Sequence, residues 1–127
     1  MKERESLKNQ EVGGGKSTPI WHAEDFVPKD SPTSTWLYFI LKTEIDVNGV
    51  MGFVYGVRVD KLDFVTDIKF DPAVEKHISL DIEDAKEFIM RLRKMVNVEN
   101  IDILVNFEDI TEKYVDELKS KNQKRRG

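Results

Sequence analysis

The chain has no cysteine, which excludes disulfides, thiolate catalysis and the usual structural zinc sites. Histidine is almost as scarce. His22 and His77 stand 55 positions apart, a separation with no metal-ligand spacing. No apolar run approaches the roughly 20 residues that a membrane helix needs. Met1 to Gln10 is charged throughout and lacks the apolar centre of a signal peptide. An excess of positive charge is missing too: 20 basic residues face 24 acidic ones, for a net charge of −4. The signs are interleaved from Trp21 until the last few residues, so the folded part has no basic footprint for duplex DNA. These absences lead us to expect a soluble, cytoplasmic protein without a membrane partner.

Catalytic patterns are lacking as well. Ser79 lies near His77, and Ser17 and Ser31 lie around His22, but none sits in a strand-turn-helix elbow. Asp46-Val47-Asn48-Gly49 lacks the later ligands of a calcium loop. Carboxylate pairs such as Asp60/Asp63 and Glu108/Asp109 arise by chance in a chain with 24 acids. Gly13 to Thr18 matches only the end of a phosphate-binding loop. The motif's first glycine is replaced by Gln10, Pro19 follows, and the flanking strand and helix are missing, so a flexible linker is expected. His22-Ala23-Glu24-Asp25 could form a metal or acid–base cluster, although a surface pairing is the commoner outcome. The expectation is therefore a non-enzymatic protein with no catalytic residue, no metal site and no cofactor.

What the chain does contain is a hairpin signal. Asn48-Gly49 stands between Val47 and Val50, and both positions of a type I′ turn need positive φ. The implied register opposes Val47 to Val50, Ile45 to Gly52, Thr43 to Val54 and Leu41 to Gly56. Directly opposed residues share a face. One face then carries Leu37, Phe39, Leu41, Ile45, Val47, Val50 and Val54, with gaps at Gly52 and Gly56. The other carries Trp36, Tyr38, Ile40, Met51, Phe53, Tyr55, Val57 and Val59, interrupted by Lys42 and Glu44. The glycine gaps leave room on the first face for strong sheet curvature or for a helix, and suit it to receiving the helix of Ile82 to Val96.

Around this hairpin the reading is coarser. Residues 1–18 hold one leucine, one valine and no aromatic residue, a composition expected to stay disordered. Pro19 to Thr35 reads as irregular chain that pins an aromatic or two. A tight connection is expected at Asp60-Lys61, a third strand over Leu62 to Phe70, a loop over Asp71 to Lys76, and a short fourth strand over His77 to Leu80. Asp81 caps a helix whose stripe is Ile82, Ala85, Phe88, Ile89, Leu92 and Val96. Its Arg91, Arg93 and Lys94 could meet phosphate, but a solvated helix end is the plainer reading. Asn100 to Phe107 alternates as a fifth strand. The Asp109 to Glu112 spacing suggests a capping box for a second helix bearing Ile110, Tyr114, Val115 and Leu118. Residues 120–127 form a basic tail expected to fray.

The chain thus reads as one α+β domain over residues 19–119, between tails at 1–18 and 120–127. Its mainly antiparallel sheet of four to five strands carries two helices, in the order β-β-β-(β)-α-β-α. In outline, the strands followed by Ile78-Ser79-Leu80 and an acid-capped helix, over Trp36 to Val96, resemble the Whirly and transcriptional-coactivator single-stranded-DNA binders. That resemblance is one of topology and implies binding of single-stranded nucleic acid. Two functions follow. The first is an interaction domain that binds a protein partner, or a second copy as a homodimer, through the face bearing Trp36, Tyr38, Lys42, Phe53 and Tyr55. The second uses the same aromatics and the basic ends to bind single-stranded nucleic acid.

Overall fold

A computed structural model describes residues 16–27, 34–63 and 68–126, with the backbone alone described at 68–69 and 122–126. Five antiparallel strands come first: β1 (Ser17–Val27), β2 (Ser34–Val47), β3 (Val50–Asp63), β4 (Ile68–Lys69) and β5 (Ala73–Ser79). Two helices follow, α1 (Ile82–Asn97) and α2 (Phe107–Arg126). The fold is α+β, as the hydrophobic pattern implies. Strand order is β1-β2-β3, with β4 and β5 taking consecutive stretches of the far edge of β3.

The hairpin forms in the register that Asn48-Gly49 dictates. Val47 pairs with Val50, Ile45 with Gly52, Thr43 with Val54 and Leu41 with Gly56. Asn48 and Gly49 adopt φ of 55° and 82°, and the Asp46 carboxylate accepts the Gly49 N–H at 2.7 Å. The pairing runs unbroken to Ser34 opposite Asp63. β3 therefore passes straight through Asp60-Lys61, which the sequence pattern marks as a turn.

The faces are used the other way round from the expectation. Trp36 (2% exposed), Tyr38 (0%), Ile40, Val57 and Val59 form the floor of the core. Ala85, Phe88, Ile89, Leu92 and Val96 of α1 belong to the same buried cluster. Burying the larger aromatic and β-branched face removes more apolar area from water than burying the gapped one. Neither glycine receives a helix. A Cβ on Gly56 would collide with the Glu75 carbonyl oxygen and the Lys76 backbone, so this position is left bare for the backbone of β5, which is irregular between Tyr55 and Val57. At Gly52 the nearest atom would be 4.0 Å away, and no close neighbour requires glycine there.

Other elements correct the sequence reading. Pro19 to Val27 is strand, not irregular chain: Trp21, Ala23, Asp25 and Val27 alternate with His22, Glu24 and Phe26. Pro19 sits where β1 has its register shift, a site that tolerates a missing N–H. Strand β5 begins at Ala73, inside the segment read as a loop. The expected fifth strand, Asn100 to Phe107, is a run of turns leading into α2. Asn100 takes φ of 57°, the Asp102 carboxylate accepts the Leu104 N–H, and the Asn106 amide donates to the Asp102 carbonyl, both at 3.0 Å. These local side-chain bonds compete with strand pairing. Ile103 and Phe107 are still buried, as plugs rather than ladder residues. Helix α2 starts at Phe107, with the Asn106 carbonyl accepting the Ile110 N–H, and not at a capping box from Asp109. Its backbone continues to Arg126, past the Lys119 boundary drawn from sequence.

Candidate functional site

Of the five residues singled out by sequence, the structure separates two from three. Trp36 and Tyr38 are core residues, and no ligand reaches their faces. Lys42, Phe53 and Tyr55 stay on the surface or half-buried at the other end of the same strands. Lys42 lies opposite Tyr55 in the ladder, and its Nζ sits 3.9 Å from the centre of the Phe53 ring, a cation–π contact.

These three residues stand at the root of a projection. β1 pairs with β2 only as far as Ser17 opposite Thr43, and β5 pairs with β3 only as far as Ser79 opposite Tyr55. Residues 44–53 therefore continue as a two-stranded arm, with no described strand on either flank. Four residues at strand rise carry it about 13 Å beyond the sheet. Along it, Glu44 opposes Phe53, Asp46 opposes Met51 and Val47 opposes Val50. Val47, Val50, Met51 and Phe53 are exposed by 53, 68, 63 and 39%. Val47 and Val50 lie on one face of the arm, and Met51 and Phe53 lie on the other, where Asp46 and Glu44 stand directly opposite them.

The base of the hairpin holds a polar clasp that sequence reading missed. Asp25 faces α1 and accepts two bonds from the Arg93 guanidinium, at 2.9 and 3.0 Å, and one from the Asn97 amide at 2.9 Å. Burial works against the Asp25 carboxylate, but the bonds from Arg93 and Asn97 and the Arg93 charge outweigh it. They hold its pKa below the usual carboxylate range. The Tyr38 hydroxyl faces the same carboxylate without closing a hydrogen bond of good geometry. Burial and the neighbouring negative charge push its pKa far above the ordinary tyrosine value. His22, Glu24 and Asp25 do not converge, because the strand sends His22 and Glu24 to one face and Asp25 to the other. Among the described residues, no group of three or more His, Cys, Asp or Glu could hold a metal ion.

The basic end of α1 is not a phosphate site in waiting, nor is it merely solvated. Arg93 is taken by Asp25. Arg91 binds Glu117 at 2.9 and 3.0 Å and Glu87 at 2.9 Å, and lies 4.8 Å over the Tyr114 ring. Lys94 remains exposed. Beside this network, a groove of about 710 Å³ opens between the helices, with Phe88, Met95, Ile101 and Ile110 along it. Only the spacing of the α2 stripe hinted at it. A smaller groove of about 330 Å³ lies on the helix-free sheet face, lined by Phe39, Leu41, Arg58 and Val74 among others.

No described helix is long and apolar enough to cross a membrane. Compared with known proteins, the chain matches no family model, no curated protein and no solved structure.

Proposed function

We propose that this chain is a non-catalytic interaction domain, at work in the cytoplasm, that grips a protein partner through the arm of its β2–β3 hairpin. One observation carries the reading: Val47, Val50, Met51 and Phe53 stand exposed on a projection that no other described element flanks. Each face of the arm thus offers a pair of exposed apolar side chains, and exposed apolar surface of this kind marks interaction sites. Their placement on a hydrogen-bonded ladder closed by the Asn48-Gly49 turn limits the backbone entropy lost on binding. Lys42, Phe53 and Tyr55 form the root of this surface. A single-stranded nucleic acid has less to hold: Trp36 and Tyr38 cannot stack with bases, and Glu44 and Asp46 on the arm repel phosphate.

The test is a pull-down from the native host with the full chain, read by mass spectrometry with and without nuclease. A Met51→Asp/Phe53→Asp variant is run beside it, with circular dichroism to confirm its fold. We expect proteins retained by the wild type after nuclease and lost by the variant. Identical retention by both would dispose of the arm. Retention abolished by nuclease, with a gel shift of a labelled oligonucleotide at low salt, would put nucleic acid in the partner's place.

A further inference from the structure

We infer that the chain pairs with a second copy of itself along the outer edge of β1, in one antiparallel register centred on Ala23. This edge is distinct from the arm, and the inference goes beyond the arm's role. One side of β1 is filled by β2 from Ser17 to Val27, and no described strand occupies the other side. Exposed edges are normally blocked by lysine, proline or a bulge. Here such protection is confined to the beginning of the strand, where Pro19 adjoins the register shift. From Trp21 to Val27 there is no lysine, proline or glycine. The one charge pointing toward the core, Asp25, is already held by Arg93 and Asn97, so it does not guard the edge.

The residues themselves select the register. With Ala23 on the two-fold axis, His22 of each copy lies opposite Glu24 of the other, twice per dimer. An imidazole N–H donor then meets a carboxylate acceptor. The regular alternation that carries this pairing runs from Trp21 to Val27, beyond the register shift between Pro19 and Trp21. On the helix-bearing face, Ala23 meets Ala23 and Trp21 meets Asp25. Moving the axis to Glu24 sets the two Glu24 carboxylates against each other. Moving it to His22 sets the two imidazoles against each other and leaves Glu24 without its partner. Placing the axis between residues turns one copy over and sets Glu24 against Ala23 or Trp21, on the wrong face. Of these registers, only the one centred on Ala23 sets an imidazole opposite a carboxylate, and it does so twice, as an isologous interface requires. Because Ser17 lies at the root of the arm, this two-fold sends the two arms to opposite ends of one continuous sheet.

The experiment is sedimentation velocity on the full chain over a concentration series, with circular dichroism on every variant. The wild type should sediment at twice its 14.8 kDa mass. His22→Glu places like charges opposite each other twice and should weaken the dimer about tenfold. Adding Glu24→Lys to that variant should restore it, and Met51→Asp on the arm should leave it unchanged. A wild type that stays monomeric throughout would overturn the inference. So would a His22→Glu variant that dimerises as before, or a double variant that is not rescued.

Discussion

The two ends of the β2–β3 hairpin share one ladder and one alternation, yet they have opposite fates. At the base, Tyr38 opposes Val59 and Ile40 opposes Val57, and all four are sealed in the core. At the tip, Asp46 opposes Met51 and Val47 opposes Val50, and all four remain exposed. The apolar content of the two ends does not explain the difference. Neighbours do. β1, β5 and α1 cover the base, and both flanking strands stop near Thr43 and Tyr55. Pattern decides which side chains are able to be buried, and the reach of adjacent elements decides which of them are.

This contrast is most strongly tested at the base. Trp36→Ala should destabilise the domain by about 3–5 kcal/mol, the range for emptying a large aromatic from a core, measured by urea denaturation. A loss below about 1 kcal/mol would mean that the base is not the core. Asp25→Asn should cost about 1–3 kcal/mol at neutral pH, because it weakens charged hydrogen bonds with Arg93 and Asn97. Its pH dependence follows from the lowered pKa of Asp25. A folded pKa below the unfolded one stabilises the protein above about pH 4 and loses that contribution as pH falls through the folded value. The gap between wild type and variant should therefore narrow in acid, and a gap independent of pH would refute the assignment. At the boundary, Lys42→Ala removes the contact with Phe53 and should cost about 0.5–1 kcal/mol. At the tip, Met51→Ser should change stability by no more than about 0.5 kcal/mol while diminishing partner capture. A large loss there would erase the distinction between the two ends.

Sequence made the hairpin legible to the residue, because Asn48-Gly49 specifies a turn whose geometry fixes every pairing behind it. The α1 stripe and its Asp81 cap were equally readable, and Asp81 does accept the Glu83 N–H at 2.9 Å. The choice between two apolar faces was not readable. Each face had enough hydrophobic residues, and glycine gaps admit a strand's backbone as readily as a helix. For the same reason the pattern groups Trp36 and Tyr38 with Lys42, Phe53 and Tyr55, although the first two are buried in the core. The alternation from Ile101 to Phe107 misled, since period two records which side chains turn inward and not whether a neighbouring strand exists. The clasp at Asp25 had no local signature at all. Its partners lie 68 and 72 positions away, and a carboxylate in an acidic chain attracts no attention until a helix is laid across it.

That separation carries a consequence for the order of events during folding. The hairpin closes through two residues, a fast local step. The strand made first on the ribosome is clamped on its helix face by Arg93 and Asn97, which emerge near the end of α1. Long-range closures come late because their loop entropy must be met before the contact forms. β1 can pair with β2 early, through a short separation from Val27 to Ser34, while the clasp that ties its helix face to α1 should close last.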